Sequence, residues 1–538
     1  MLSKEEKRDL RSRLFRHLDG IVTAPTVVAL RDHGVLDAFE SANTIDVDSL
    51  AAEKNANAGY LNVGLRVLAS QGWLTQTIDN SNNRVSYSAT ESFSLMRQAS
   101  HLYDEAVSVA KYSANYHPRN FEREPFYRME RAVTLLNQEF GDGDDADSAE
   151  SMVRHQILRH AEGLLLGPTI VHLGMTGMFH KYFMDASFRP DEFHEDAESF
   201  GKLLRIFADR GWFVETNGTF QFTEVGLFYA RRASAYGVTV SYLPSLRHLD
   251  HLIFGDPDYL RVAEGEKERH VDREMNVWGS GGAHAAYFKA IDDIIIELFN
   301  RPISEQPRGI LDMGCGNGAF LIHLFDVIET QTRRGEMLED YPLFLVGVDF
   351  NEAALRVTRS NLTQAEVWAK VIWGDIGNPD QLAEDLHRDY GIALRDLLNV
   401  RTFLDHNRMW VEPHSEPART SPSTGAYASR GARLSNTDVE TSLSEHLERW
   451  KPFVDRFGLL MIELHTVPPA LTAANLGRTP ATAYDATHGY SDQYIMEVDV
   501  FRHVAGQSGF KIHETFARRY PDSDLATVTL NLLTVQDN

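Results

Sequence analysis

A glycine-rich segment between an apolar run and a helix-like run constrains the fold of this 538-residue chain most strongly. The segment Ile310–Leu321 reads ILDM, then GCGNG, then AFL. In a doubly wound α/β sheet such glycines let the backbone turn sharply at the carboxyl end of a strand and approach a ligand. The segment therefore predicts a nucleotide-type pocket at the edge of a parallel sheet.

Strands alternating with helices extend from about residue 260 to the end of the chain, which is typical of a doubly wound α/β domain. The predicted strands are Ile310–Met313, Phe344–Asp349, Lys370–Asp375, Ala393–Val400 and Leu459–Leu464, followed by the antiparallel-looking Thr527–Val535. A Ser/Pro/Gly-rich insertion at 413–434 separates the fourth and fifth strands. Its composition predicts a mobile surface loop that could act as a lid.

The spacing of the glycines distinguishes between two kinds of nucleotide pocket. The pattern is Gly314-x-Gly316-x-Gly318, preceded by Asp312, whereas a dinucleotide fingerprint requires Gly-x-Gly-x-x-Gly. A carboxylate beside a pyrophosphate would be repelled, but it can accept hydrogen bonds from the cationic amino-acid end of S-adenosylmethionine (SAM). The loop therefore favours SAM.

Two further acids follow the next two predicted strands. Asp349, with Phe350 after it, ends the second strand, where a carboxylate can accept from ribose hydroxyls. Asp375, followed by Ile376, ends the third, where a carboxylate can bind the adenine amino group. Any one acid could be a helix N-cap. Three acids at the ends of three successive strands predict a class I SAM-dependent methyltransferase over residues 265–538.

The string NVWGSGGAH at 276–284 stands before the helix that leads into the first strand. Its Gly281 suits a close approach to the methionine end of the cofactor. The alternative is a plain turn at the start of a helix.

The first half of the chain repeats itself. Leu65–Leu74 returns as Leu204–Phe213, both closing on a Gly-Trp turn, and Pro25-Thr26 returns as Pro168-Thr169. Each copy predicts helices followed by two short strands joined by an Asn-containing turn, which is the order of a winged helix. We expect one winged-helix-like domain at 1–140 and a second at 151–260, with an acidic connector near 141–150.

A winged helix can bind DNA or serve as a packing module that pairs subunits. The net charge of −24 and the single Arg in the first recognition-like helix argue against nucleic acid. We therefore expect a packing role and a possible homodimer. No apolar run approaches the ~20 residues needed to span a bilayer. One cysteine and no signal-peptide core indicate a cytoplasmic protein without membrane association.

Polar residues after the fifth strand indicate the chemistry. His465 follows that strand directly, and His488 and Gln493 lie in the later string AYDATHGYSDQY at 483–494. Two imidazoles and an amide oxygen could hold Fe or Mn with positions left for a bidentate substrate. The competing hypothesis is a metal-free O- or N-methyltransferase that uses a His as general base. Spacing alone leaves both open.

Four strings resemble the metal-dependent C-methyltransferase domains of polyketide loading modules of the apratoxin and saxitoxin type. They are NVWGSGGAH at 276–284, NVRTFLDHNR at 399–408, FGLLMIELHTV at 457–467 and AYDATHGYSDQY at 483–494. The resemblance implies a mononuclear iron or manganese ion beside SAM and methylation of the α-carbon of a malonyl-type thioester on an acyl carrier protein.

Carried onto this sequence, the resemblance implies His465 and Gln493 as metal ligands, with His488 as a third ligand or a supporting residue. It also implies that Arg401 or Asp405 positions substrate or cofactor. No carrier-like segment follows the last predicted strand, so we expect the carrier protein to act in trans unless the chain is an excised piece. A SAM-binding regulator without catalytic activity is the least favoured class.

Overall fold

The structure is a computed structural model that describes residues 1–41, 44–110, 123–141, 148–182, 186–262 and 268–536. Most of the predicted acidic connector lies outside these residues. The chain divides into two compact units. The amino-terminal unit comprises 1–282, 428–433 and 468–491, and the sheet unit comprises 283–427, 434–467 and 492–538. Within the described ranges, no helix is both long and apolar enough to cross a membrane.

The helices, in chain order, are α1 Lys4–Asp32, α2 Val35–Ser41, α3 Val47–Lys54, α4 Ala58–Ser70, α5 Phe93–Ala99, α6 Asp104–Ala110, α7 Arg123–Gly141, α8 Ala149–Met175, α9 Met178–Lys181, α10 Ala197–Ala208, α11 Glu224–Ala230, α12 Ser234–Ser241, α13 Leu243–Leu246, α14 Leu249–Phe254, α15 Arg273–Lys289, α16 Asp292–Asn300, α17 Ala319–Gln331, α18 Glu352–Gln364, α19 Pro379–Tyr390, α20 Asn436–Val454, α21 Pro469–Ala473, α22 Ala481–Gly489 and α23 Val498–Gln507.

The strands are β1 Ile45–Asp46, β2 Leu74–Asp79, β3 Arg84–Ala89, β4 Ser187–Phe188, β5 Phe213–Thr216, β6 Thr219–Phe222, β7 Gly309–Met313, β8 Phe344–Asp349, β9 Ala369–Trp373, β10 Leu397–Thr402, β11 Ala428–Ser429, β12 Ala432–Arg433, β13 Leu459–Thr466, β14 Met496–Glu497, β15 Phe510–Ile512, β16 Arg518–Tyr520 and β17 Val528–Val535.

The two predicted winged helices are present in the amino-terminal unit. Each has a three-stranded antiparallel sheet of the same topology, β1-β3-β2 in the first copy and β4-β6-β5 in the second. The turn of the second hairpin contains Asn217 and Gly218, both with positive φ, which suits the twist of a two-residue hairpin. The internal duplication seen in the sequence is therefore a duplication of structure.

The recognition-like helix α4 of the first copy is enclosed by protein. Residues 59–70 are all buried, and Arg66 forms an ion pair of 2.9 Å with Asp485 of α22. A helix without an exposed face cannot enter a DNA groove. The burial supports the packing role that the sequence predicted for this module.

The sheet unit contains a mixed sheet in the order β15-β17-β13-β10-β7-β8-β9. The strands β13, β10, β7, β8 and β9 pair in parallel, and β17 runs antiparallel to β13. Every residue of β7 and β13 is buried, as expected for the centre of a sheet covered on both faces. The predicted doubly wound fold is confirmed.

The boundaries of the units differ from the predicted domains. The segments predicted as separate domains at 1–140 and 151–260 share one unit, because α1 and α8 pack along each other. The segment Pro468–Ser491, which the sequence assigned to the sheet domain, also belongs to this amino-terminal unit.

The insertion 413–434 is a surface loop only in its first part, since residues 414–418 are exposed and burial begins at Ser421. Ser421, Ser423 and Tyr427 are buried, and the hydroxyl of Ser423 donates to Glu497 at 2.8 Å. The tip at 428–433 forms the β11–β12 hairpin. It lies against the first winged helix, where the Gly59 amide donates to the Gly431 carbonyl at 2.8 Å. These contacts satisfy backbone groups that a surface loop would leave to water.

Candidate active site

The glycine loop joins β7 to α17 at the carboxyl edge of the sheet. Gly314, Gly316 and Gly318 have φ values of 78°, 55° and 78°, which only glycine adopts without strain. The amides of Gly314 and Cys315 donate to the Val348 carbonyl at 2.8 and 3.0 Å. The loop is thereby held against β8, at the edge of the parallel sheet where the sequence predicted it.

Asp312 ends up buried directly before this loop, 1% exposed. Neither of its carboxylate oxygens has a hydrogen-bond partner among the described residues. Burial raises the pKa of Asp312 well above its ordinary range, and the charge of Asp349 raises it further. A buried carboxylate without a partner is unfavourable on its own. The position fits a ligand that brings a positive charge or several donors, such as the amino-acid end of SAM.

Asp349 connects the glycine loop to the end of β8. One carboxylate oxygen accepts from the Gly316 amide at 3.0 Å, and the other accepts from the Asn351 amide at 2.8 Å. Phe350 follows, 49% exposed, and its ring lies 5.4 Å from the ring of Trp373, measured between centroids. The sequence prediction missed Trp373. These two exposed rings at the same sheet edge offer apolar surface to a flat adenine.

Asp375 and Ile376 follow β9. One Asp375 oxygen accepts from the Gly377 amide at 2.8 Å, which forms a tight turn, and the side chain is half-buried. The Ile376 carbonyl accepts from the Trp450 indole at 2.8 Å. Asp312, Asp349 and Asp375 therefore end three adjacent parallel strands, in the arrangement that predicted SAM.

The string 276–284 does not stand before a helix, as the sequence predicted, but lies inside α15. Gly281 belongs to the amino-terminal unit, and a Cβ placed on it would meet nothing within 4 Å. Gly279, two residues before it, packs closely instead: a Cβ there would lie 2.6 Å from the Val238 amide nitrogen. Helix packing explains at least this glycine of the string.

Arg401 lies inside the sheet unit rather than at its surface. It is 1% exposed, its Nη1 donates to Asp405 at 2.5 Å, and its guanidinium carbon lies 4.1 Å from the centroid of the Trp450 ring. Asp405 also accepts from His446 Nε2 at 3.0 Å. Burial alone would raise the pKa of Asp405, but Arg401 and His446 lower it to about 2. Arg401 thus holds a buried carboxylate in place.

A second buried pair, His406 with Glu463, was missed by the sequence prediction. His406 Nδ1 lies 2.5 Å from a Glu463 oxygen, and the other Glu463 oxygen accepts from the Asp405 amide at 3.0 Å. His406 follows β10 at the carboxyl edge of the sheet and is 6% exposed. The pair borders a small cavity that Arg408 and Tyr494 also line. The signal in the sequence was Glu463, an acid in the otherwise apolar run of the predicted strand Leu459–Leu464.

His465 is fully buried near the end of β13. Its Nδ1 donates to the Met496 carbonyl at 3.0 Å, and its Nε2 accepts from the Thr529 hydroxyl at 2.7 Å. Thr529 in turn accepts from the Asn531 amide at 2.9 Å. Burial lowers the pKa of His465 to about 4, so the ring is neutral. Nε2 of His465 would therefore have to give up its bond to Thr529 before it could bind a metal or accept a proton.

The other two predicted ligands, His488 and Gln493, are each described within their own unit. His488 ends α22 in the amino-terminal unit, and its Nδ1 lies 2.8 Å from the Tyr484 carbonyl. Gln493 belongs to the sheet unit and is 8% exposed. Among the described residues, no three His, Cys, Asp or Glu side chains form a metal cluster.

Three family models match the chain in order. Residues 268–531 match the AprA MT2-like domain, 162–256 the AprA winged helix domain and 10–76 the AprA N-terminal domain. The chain is an AprA-type SAM-dependent methyltransferase. The three AprA-type models follow the chain order of the first winged-helix copy, the second copy and the sheet unit, although their bounds differ from those of the units.

Several solved structures resemble this AprA-type chain. They include CurJ carbon methyltransferase (12% identity, covering 80% of this chain and 99% of that chain, TM-score 0.33), CalO1, a methyltransferase in calicheamicin biosynthesis (16%, 73% and 100%, TM-score 0.40), and an O-methyltransferase family 2 protein from Planctomyces limnophilus (12%, 97% and 95%, TM-score 0.37). These likenesses are too remote to bear on the substrate. A search of curated proteins found no match.

Proposed function

We propose that this enzyme methylates the α-carbon of a malonyl-type thioester carried on an acyl carrier protein, in the assembly of a polyketide. The match of residues 268–531 to the AprA MT2-like model supports the reaction class. The single structural observation that carries the proposal is the buried His406–Glu463 pair at the carboxyl edge of β10. β10 is the neighbour of β7, whose carboxyl end bears Asp312.

A carbon acid must lose a proton before it can attack a methyl group. In the tautomer that pairs with Glu463, His406 carries its proton on Nδ1 and directs the Nε2 lone pair away from the carboxylate. Glu463 also accepts from two backbone amides, of Asp405 at 3.0 Å and of Leu464 at 2.7 Å. These bonds hold the Glu463 carboxylate in one position, and the carboxylate in turn holds the orientation of the His406 ring. An acid that orients a general base acts in the same way.

The proposed step balances without a further reactant. His406 Nε2 takes the α-proton of the thioester, and the electron pair of that C–H bond forms the new bond to the methyl carbon. The bond from sulfur to the methyl carbon breaks with its pair going to sulfur, which leaves S-adenosylhomocysteine. The imidazolium then gives its proton to solvent. Glu463 stabilises the imidazolium while it exists.

No step of this proposal depends on a metal. The resemblance of the sequence implies iron or manganese, but both ring nitrogens of His465 are bonded to protein. Metal binding therefore stays a prediction of the resemblance. Metal content of protein purified without chelator, measured by elemental analysis, tests it directly. We expect methyl transfer to survive EDTA, and loss of activity that Fe(II) or Mn(II) restores would contradict the metal-free step.

The substrate is tested by intact-mass measurement of a malonyl-loaded carrier protein incubated with the enzyme and SAM. We expect a mass gain of one CH₂ for each transfer, and loss of label when the malonyl α-position is deuterated. Malonyl-CoA serves as the carrier-free control, and a hydroxylated acyl-carrier substrate tests the O-methylation alternative. Methylation of the hydroxyl with no methylation at carbon would refute the proposal.

A further inference from the structure

The two long helices α1 and α8 carry the same sequence motif at their centres. Arg16-His17-x-Asp19-Gly20 of α1 corresponds to Arg159-His160-x-Glu162-Gly163 of α8, and a proline follows five residues after each glycine. Both prolines lie inside their helices. The duplication of the winged helices therefore includes these helices.

The helices cross at the two glycines, and the crossing is reciprocal. A Cβ on Gly20 would lie 2.3 Å from the Cα of His160, and a Cβ on Gly163 would lie 2.4 Å from the Cα of His17. Each helix thus presses its glycine against the histidine of the other. Approach this close between helix backbones requires residues without side chains.

The Nδ1 atoms of the two histidines repeat this reciprocity, whereas the 3.1 Å contact of His17 Nε2 with Glu162 has no counterpart at His160 among the described residues. His17 Nδ1 of the first copy lies 2.9 Å from the hydroxyl of Tyr236 in the second copy. His160 Nδ1 of the second copy lies 2.8 Å from the hydroxyl of Tyr103 in the first copy. Each copy therefore supplies a tyrosine to the histidine of the other.

Contacts inside each copy are equivalent as well. The residue before each Gly-Trp turn binds the acid of its own long helix, Gln71 to Asp19 and Arg210 to Glu162 at 3.0 Å. The glycine–histidine and histidine–tyrosine contacts between the copies are reciprocal: a residue of the first copy meets a residue of the second, and their counterparts meet in the same way. Reciprocal contacts of this kind define an interface with two-fold symmetry. Such an interface normally joins two identical subunits.

We infer that the two repeats form, within one chain, the two-fold interface that would otherwise join two subunits. The partner surface of each copy is the other copy, so a second chain has no place at this face. At this face, an internal pseudo-dimer takes the place of the homodimer expected from the sequence. The inference uses only contacts in the amino-terminal unit and does not depend on the proposed substrate.

Thermal unfolding of the full chain tests the two glycine contacts. We expect Gly20→Ala and Gly163→Ala each to lower Tm by roughly 5–10 °C, since each forces the same backbones apart. The double variant should lose less than the sum, because one separation relieves the other clash. Gly506→Ala in α23, where a Cβ would meet nothing within 4 Å, is the matched control and should not lower Tm. A loss confined to one of the two glycines would overturn the inference.

Two differently tagged full-length chains, expressed together, test whether the interface lies inside one chain. We expect each tag to purify without the other, and Tm of the wild-type chain to be independent of protein concentration. Co-purification that Gly20→Ala or Gly163→Ala abolishes, with a Tm that rises with concentration, would place the α1–α8 contact between chains and refute the inference.

Discussion

The unpartnered carboxylate of Asp312 gives the sharpest prediction about cofactor binding. Since it is 1% exposed and neither oxygen has a partner in the described chain, no protein group takes over its role when it is replaced. A hydrogen bond to a charged group contributes about 1.5–3 kcal/mol. Taking about 2 kcal/mol, Asp312→Asn should weaken SAM binding by about 30-fold.

The raised pKa of Asp312 also fixes how binding and stability respond to pH. Without ligand, the folded state keeps this proton at pH values where the unfolded chain has lost it, so stability falls as pH rises from about 4 toward the raised pKa. A cationic ligand favours the ionised carboxylate. SAM should therefore bind more tightly as pH rises through the same window and should release a proton.

Isothermal titration calorimetry with SAM, in two buffers of different ionisation enthalpy between about pH 6 and about pH 8, measures affinity and proton release together. We expect both the proton release and the pH dependence to vanish in Asp312→Asn. We expect Asp375→Asn to lower the affinity for SAM but to keep the proton release, because Asp312 is unchanged in that variant. An Asp312→Asn variant that binds SAM as tightly as wild type and releases the same proton would refute the reasoning.

Three further substitutions test the rest of the site. Trp373→Ala should weaken SAM binding by about 10-fold through loss of an aromatic contact, whereas Trp368→Ala, at a side chain 91% exposed, should leave Kd unchanged in the same titration. Arg401→Met should lower the free energy of unfolding by about 3–5 kcal/mol in a denaturant titration, because the buried Asp405 carboxylate loses its arginine and keeps only His446. Arg395→Met, in an exposed ion pair, should cost below about 1 kcal/mol in the same measurement. Glu463→Gln should reduce kcat by about 100-fold or more without changing the Kd of SAM, and unchanged kcat would remove the His406–Glu463 pair from the mechanism.

The sheet and its cofactor edge could be predicted because their signals are local. An apolar strand, a run of glycines and an acid lie next to one another in Asp312–Gly318, and the strand periodicity brings Asp349 and Asp375 to the same edge. The winged helices were predictable for a similar reason, since a repeated segment such as Leu65–Leu74 needs no knowledge of tertiary contacts.

The polar interior was not predictable, because its pairs form across long stretches of chain. His406 and Glu463 are 57 residues apart, and no local pattern joins them. His465 was correctly placed near the end of a strand, but its position does not reveal that both ring nitrogens bind Met496 and Thr529. The string around Gly281 was misjudged because glycines suit a helix contact as well as a turn.

The pairing of Gln71 with Asp19 and of Arg210 with Glu162 has an evolutionary consequence. In a homodimer both halves of the interface are encoded by the same codons. A substitution therefore appears at two symmetry-related positions at once and must be compatible with both. Here each half has its own codons, and a neutral amide can serve one half while a cation serves the other. The amino-terminal unit can therefore become asymmetric by single mutations while its two halves stay joined.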